Sequence, residues 1–263
     1  MRLIPNLLIN NGDLIKNKSF RKYKYLGDPV NVAKIYLEKG ADELFVVDNS
    51  AYISGINFEL IEELSSNCFI PITYAGNIKN VDQVKSIVNL GIERVAIGIY
   101  TEKDWNIVKL ASKYLGKSGV CPIINIGISR LLKKHKIFDY KLKRNRLRYS
   151  LNKLIDDLNE NNPGETIIFD TKNEGTRRGF SCSFIRDLIN PKIPLIASGG
   201  IKNYDECKNL WNKGFNAVSS SALLSLVLPH DAVLISYPKI HSDTVIKNLT
   251  KPKLSFDRYS RFN

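Results

Sequence analysis

Residues 70–98, IPITYAGNIKNVDQVKSIVNLGIERVAIG, align without a gap to residues 193–221, IPLIASGGIKNYDECKNLWNKGFNAVSSS. Eleven of the twenty-nine pairs are identical, among them Gly76 with Gly199, Asp82 with Asp205 and Gly91 with Gly214. Each copy reads as an apolar run, a small-residue turn, an amphipathic stretch, a glycine and a second apolar run, which is a strand–helix–strand unit. Such a unit cannot bury both faces alone, so two copies that share loop glycine, helix start and terminal glycine imply two related halves of one sheet.

Working outward, apolar runs recur at Leu3–Ile9, Glu43–Val47, Ile70–Tyr74, Arg94–Ile97, Val120–Ile126, Glu165–Asp170, Pro194–Ser198 and Ala217–Ser219. Amphipathic segments separate them near Val30–Lys39, Phe58–Ser66, Val81–Leu90, Lys103–Tyr114, Leu151–Leu158, Ser183–Leu188 and Tyr204–Trp211. Parallel strands need crossovers of this length. The pattern predicts an α/β fold, a (β/α)8 TIM barrel built from two half-barrels, and the 263-residue length suits one such domain. The barrel is expected over residues 1–245, with a basic excursion at 129–150 and a polar, basic tail at 246–263. After the eighth strand Pro229 interrupts the pattern, so the eighth helix is expected to be degenerate and Ala232–Tyr237 to form a strand.

Hydrophobic residues at 43%, charged residues at 25% and a mean hydropathy of −0.18 exclude disordered and collagen-like classes. No apolar run is long enough to cross a bilayer and the first residues lack a signal-peptide core, which points to a cytoplasmic protein without a membrane partner. Cys68, Cys121, Cys182 and Cys207 are scattered and read as reduced, buried thiols. His135, His230 and His241 show no ligand spacing and read as surface residues, so neither a metal nor a cofactor is expected. Much of the net charge of +13 is compact: residues 129–150 carry nine basic residues against one acid, Asp139, with apolar residues interleaved as in a short hairpin. An acidic partner or an anionic substrate suits that patch; no nucleic-acid motif accompanies it.

Chemistry is legible at the strand ends. Ser198-Gly199-Gly200 and Ser219-Ser220-Ser221 close strands seven and eight, where barrels commonly hold phosphate with loop N–H groups and hydroxyls. The first copy has Asn77 for the second glycine and Gly98-Ile99 after strand four, so a ligand with two phosphates finds one good cradle. Asp48 and Asp170, ending strands two and six, are acid–base candidates, and Tyr74 is expected to narrow the mouth.

Arg2-Leu3-Ile4-Pro5, Gly27-Asp28-Pro29-Val30, Ala41-Asp42-Glu43-Leu44, Glu174-Gly175-Thr176 and Ala197-Ser198-Gly199-Gly200 together resemble the cyclase subunit of imidazole glycerol phosphate synthase, HisF, over roughly residues 1–228. The resemblance implies a barrel that receives ammonia from a HisH-like glutaminase and passes it to a mouth holding a bisphosphorylated ribonucleotide. It adds Gly175 and Thr176 to the phosphate set (Ser198, Gly199, Gly200, Ser220, Ser221) and makes Lys16 a substrate contact. It also implies an ammonia gate of Arg2, Glu43, Arg94 and Glu165. The family's two acid–base aspartates fall at Leu8 and Gly127, which transfer no proton, and Phe169, Lys172, Glu174 and Gly98-Ile99 also depart from the family pattern.

Pro5-Asn6-Leu7-Leu8, Lys24-Tyr25-Leu26-Gly27-Asp28-Pro29 and the Ala232–Pro238 ending are similar to a divergent branch encoded with surface-polysaccharide genes. In that branch the barrel supplies ammonia to a separate sugar amidotransferase that makes an acetamidino group. Three readings follow: an ammonia-conducting subunit of a glutamine-dependent amidotransferase, an active cyclase with substitute acids, and a phosphosugar-binding or interaction protein without ammonia transfer.

Overall fold

A computed structural model describes residues 2–18, 22–128, 134–139, 144–145, 148–227 and 232–238. Eight parallel strands close on one another: β1 (Arg2–Asn10), β2 (Leu44–Asp48), β3 (Ile72–Ala75), β4 (Arg94–Gly98), β5 (Val120–Ile128), β6 (Thr166–Asp170), β7 (Leu195–Ser198) and β8 (Ala217–Ser220). Each strand pairs with its neighbours in sequence, and β8 returns to β1, so the barrel has no free edge. Helices α1 (Pro29–Glu38), α2 (Phe58–Asn67), α3 (Val81–Asn89), α4 (Asp104–Leu115), α5 (Leu151–Asn161) and α6 (Tyr204–Asn212) connect them.

The repeat persists as structure. In α3 the Asn80 side chain accepts from Gln83 N at 2.9 Å, while Gln83 Oε1 accepts from Lys79 N at 2.7 Å. In α6 Asn203 accepts from Glu206 N at 3.0 Å and Glu206 Oε2 from Lys202 N at 2.6 Å. These are reciprocal caps that satisfy the first-turn N–H groups. Val84 and Ile87 of α3 are buried, as are Cys207 and Leu210 at the matching positions of α6. Gly91 and Gly214 end the two helices at φ of +94° and +90°.

Strand alternation divides the core in two. On β1, Leu3, Leu7 and Ile9 join the large cluster between sheet and helices, whereas Ile4 joins Phe45, Ile167, Phe169 and Ile196 inside the lumen. All four cysteines are free and buried. Among the described residues no helix is long and apolar enough to cross a membrane.

Four features depart from the sequence expectations. An antiparallel hairpin, Asp13–Lys18 with Lys22–Gly27, follows β1 through a tight turn at Asn11-Gly12 with φ of +52° and +86°. Ser183–Leu188 is a 3-10 helix rather than an α-helix. Pro191 blocks its extension, and the Arg186 guanidinium donates to the carbonyls of Ile189, Asn190 and Ile193 at 2.7–2.9 Å. In the expected Ala232–Tyr237 strand only Ala232–Val233 pairs, with Leu226–Val227. The residues that follow strap the barrel instead: Ser236 N donates to Leu224 O at 2.7 Å and Tyr237 Oη to Leu3 O at 2.9 Å. Finally, His135 is half-buried rather than free in solvent: its ring lies 4.5 Å from that of Phe184 and burial lowers its pKa.

The eighth helix is reduced to the turn Ala222–Ser225. In the basic excursion His135–Asp139 pairs antiparallel with the end of β5 and with Arg144–Asn145. Residues 246–263, His230 and His241 lie outside the described residues.

Candidate functional site

Three features occupy the barrel axis. At the N-terminal floor, Arg2 Nη1 lies 2.9 Å from Glu43 and Arg2 also pairs with Glu165. Arg94 lies 3.4 Å from Glu43 and 2.5 Å from Glu165. The four side chains named from the sequence thus form a closed ring of alternating charge. Burial raises the Glu43 pKa against the opposing pull of Arg2 and Arg94. Arg94 is pinned further by Ser118 O at 3.1 Å and Cys121 Sγ at 2.7 Å, whereas the Arg2 side chain is 40% exposed. Burial pushes the Cys121 thiol up to about 12, opposed by Arg94, so it stays protonated.

At the C-terminal mouth a cavity of about 470 Å³ is walled on its apolar side by Leu8, Phe45, Ile123 and Phe169 and on its polar side by Asn6, Asp48, Asn125, Asp139 and Glu174. Asp48 Oδ1 accepts from Ser50 N, Ser50 Oγ and Ala51 N at 2.6–3.0 Å, and Oδ2 accepts from Tyr74 Oη at 3.3 Å. It therefore caps the loop after β2 and faces the mouth at once. Burial, then the Asp48 charge, pushes the Tyr74 pKa upward.

Beside the mouth is a small pocket lined by Asn6, Glu174, Gly175, Ser198, Gly199, Gly200 and Ser219–Ser221. Six of the seven phosphate-set residues named from the sequence meet there. Thr176 does not: its hydroxyl donates to Asn173 O at 2.7 Å and accepts from Arg178 N at 3.3 Å, holding the loop after β6. Asn6 Oδ1, Ser198 Oγ and Ser219 Oγ are buried with no hydrogen-bond partner among the described residues. Orphaned buried polar atoms are costly, and their convergence on one pocket gives it the chemistry to take a polar guest. Gly199 and Gly200, at φ of +93° and +78°, let this turn press on Asp170 O and Gly179 O, where a Cβ would come within 2.5 and 2.8 Å.

Asp170 lines neither cavity. Its carboxylate accepts from Lys172 N, Asn173 N, Asn173 Nδ2, Ser181 N and Ser181 Oγ at 2.7–3.2 Å, so it organises the 171–181 loop instead of facing a ligand. Lys16 is buried in the hairpin after β1, where its charge lowers the pKa of Glu174.

Glu174 borders both cavities. Burial, then the Asp170 charge, pushes its carboxyl up to about 7, against the lowering effects of Lys16 and the Gly175 backbone. Asn6, Asn125 and Asp139 were not among the sequence candidates. The first two had a signal, a polar residue at a lumen-facing position of a buried strand. Asp139 had none, because its place depends on how the excursion after β5 folds back.

A closed eight-stranded parallel barrel with polar side chains at its C-terminal mouth defines the chain as a TIM-barrel protein. A profile of the family described as histidine biosynthesis protein matches residues 2–226, and the chain belongs to that family, in its HisF group. It is 32% identical over 241 residues to a Leptospira borgpetersenii protein provisionally named imidazole glycerol phosphate synthase subunit HisF, covering 90% of this chain and 94% of that protein. A Pseudomonas aeruginosa protein provisionally named subunit hisF2 of that synthase is 31% identical over 91% of this chain and 96% of its own length. The HisF subunit of a Staphylococcus aureus strain is 29% identical over 88% and 90%.

Proposed function

We propose that this chain is the barrel subunit of a glutamine-dependent amidotransferase, supplied with ammonia by a HisH-like glutaminase docked on its floor. The intact Arg2–Glu43–Arg94–Glu165 ring carries the reading. A floor plug needs only apolar side chains, and holding Glu43, Glu165 and Arg94 largely out of water there costs desolvation that a purely structural role does not repay. Arg94 is the fixed post and the more exposed Arg2 the part that swings aside. Neutral ammonia then meets the apolar lumen of Ile4, Phe45, Ile167 and Ile196, which admits it and rejects ammonium.

The mouth holds a phosphorylated small molecule through Gly175, Ser198–Gly200 and Ser220–Ser221. The final transfer belongs to a separate sugar amidotransferase making an acetamidino group, because Leu8 and Gly127 leave β1 and β5 without an acid–base pair. The setting is the cytoplasm, and the basic charge of residues 129–150 suits an acidic partner or the phosphate of the ligand.

A second reading, an active cyclase, is favoured by one observation: Asp48, Asp139 and Glu174 all border the mouth. The two separate when the purified chain is given the bisphosphorylated ribonucleotide with excess ammonium salt, which removes the need for a glutaminase. The proposal expects no cyclisation above the enzyme-free control. Turnover at the rate of an ordinary cyclase overturns it and makes those three carboxyls the replacements to mutate.

A further inference from the structure

The repeat allows the two ends of the mouth to be compared position for position. The unpartnered hydroxyls of Ser198 and Ser219 correspond to the methyl groups of Ala75 and Ala96. Each first-half glycine carries an aromatic ring on its Cβ side while still lining the large mouth cavity. A Cβ on Gly76 would come 2.6 Å from Tyr74 Cζ, and one on Gly98 would come 2.7 Å from Tyr100 Oη.

Backbone donors that an anion would use are also taken. Ile99 N donates to Ile123 O at 2.9 Å. Tyr100 N, Thr101 N and Thr101 Oγ1 all donate to Asp104 Oδ2, at 2.8, 2.7 and 3.2 Å. The chain thus places its own carboxylate where the loop after β4 would receive an external anion.

Charge argues the same way. Although the protein as a whole is strongly basic, among the described residues the large mouth cavity is bordered by four acids, Asp48, Asp104, Asp139 and Glu174, against one base, Lys79. A phosphate dianion beside Asp48 and Asp104 meets like charge in a partly desolvated setting. Hydroxyl, amide or cationic groups meet acceptors there instead.

Resting on the phosphate cradle proposed above, we infer that the mouth selects a ligand with a single phosphoryl group and a donor-rich, neutral or cationic far end. Asp104 sets this specificity by taking the loop donors of the second anion site, with Tyr74 and Tyr100 crowding its two glycines. The ligand class therefore differs from the bisphosphate that the HisF resemblance implies.

The test is calorimetric titration of the full chain with three probes: the bisphosphorylated ribonucleotide and the two monophosphates obtained by removing either terminal phosphate. The wild type should bind the bisphosphate less than about fivefold more tightly than the better monophosphate. Asp104→Asn combined with Tyr74→Ala should move that ratio toward the bisphosphate by about tenfold. A wild-type preference for the bisphosphate above about fivefold overturns the inference, as does a ratio unmoved in a variant that folds by circular dichroism. The wild-type ratio decides alone if the variant does not fold. Absence of binding by all three probes and by inorganic phosphate refutes the cradle itself, an outcome distinct from loss of selectivity.

Discussion

Glu174 offers the most quantitative prediction. Its carboxyl titrates at about 7 in the fold against an ordinary 4.5, because burial and then Asp170 disfavour its charge. Below pH 4.5 the group is protonated in both states and costs nothing. Between 4.5 and 7 the folded state holds the proton more tightly than the unfolded chain, so stability falls as pH rises. Above 7 both states are ionised and the fold carries a penalty of about 3 kcal/mol. Glu174→Gln keeps the shape and removes the titration. Urea unfolding of both proteins near pH 4.5, 6 and 8 should show the variant gaining about 3 kcal/mol on the wild type across that window. Parallel profiles, or a wild type that gains on the variant as pH rises, would refute the burial argument for this carboxyl.

Other substitutions test other parts of the account. Asp170→Ala strips a buried acceptor from the N–H groups of Lys172, Asn173 and Ser181 and should cost about 2–4 kcal/mol in urea unfolding, with proteolysis newly directed at the 171–181 loop. Gly199→Ala forces a side chain to φ of +93° with its Cβ 2.5 Å from Asp170 O, so both thermal stability and phosphate binding should fall. Tyr149→Phe breaks the buried chain from Trp105 Nε1 through Tyr149 Oη to Asp157, at 2.9 and 2.7 Å, and should cost about 1–3 kcal/mol without altering phosphate affinity. Glu165→Gln leaves Arg2 and Arg94 sharing Glu43 alone and should lower stability by about 1–3 kcal/mol, measured in the same unfolding assay.

The barrel was legible because each strand carried its own periodic signal and the repeat supplied a second, independent reading of β3–α3–β4 and β7–α6–β8. The misjudged elements are those decided by tertiary contact. Ala232–Tyr237 has the composition of a strand, yet after Val233 its backbone donors go to Ser225 and Leu224 carbonyls. The hairpin after β1 did carry a signal, Asn11-Gly12 midway between the apolar pairs Leu8-Ile9 and Leu14-Ile15, of the kind that nucleates two-residue turns.

At the site, strand-end position was enough to gather Ser198, Gly199, Gly200, Ser220 and Ser221 in one pocket. It could not separate Asp48, which faces the mouth, from Asp170, which is consumed by its own loop. Both are aspartates ending a buried strand, and only the fold of the following loop distinguishes them. Nor could it show that Asp104 would close the first-half anion site, since an acid in the first turn of a helix is ordinarily read as a cap.

The central claim, ammonia entry through the charged floor from a docked glutaminase, is met most directly by mixing the chain with a HisH-type glutaminase from the same genome. Complex formation is followed by sedimentation and glutamine hydrolysis by product release. The account predicts a one-to-one complex and hydrolysis raised at least about tenfold, with both effects weakened by Arg2→Ala or Glu165→Gln. No complex at micromolar concentrations, or a complex and hydrolysis indifferent to both substitutions, would contradict it.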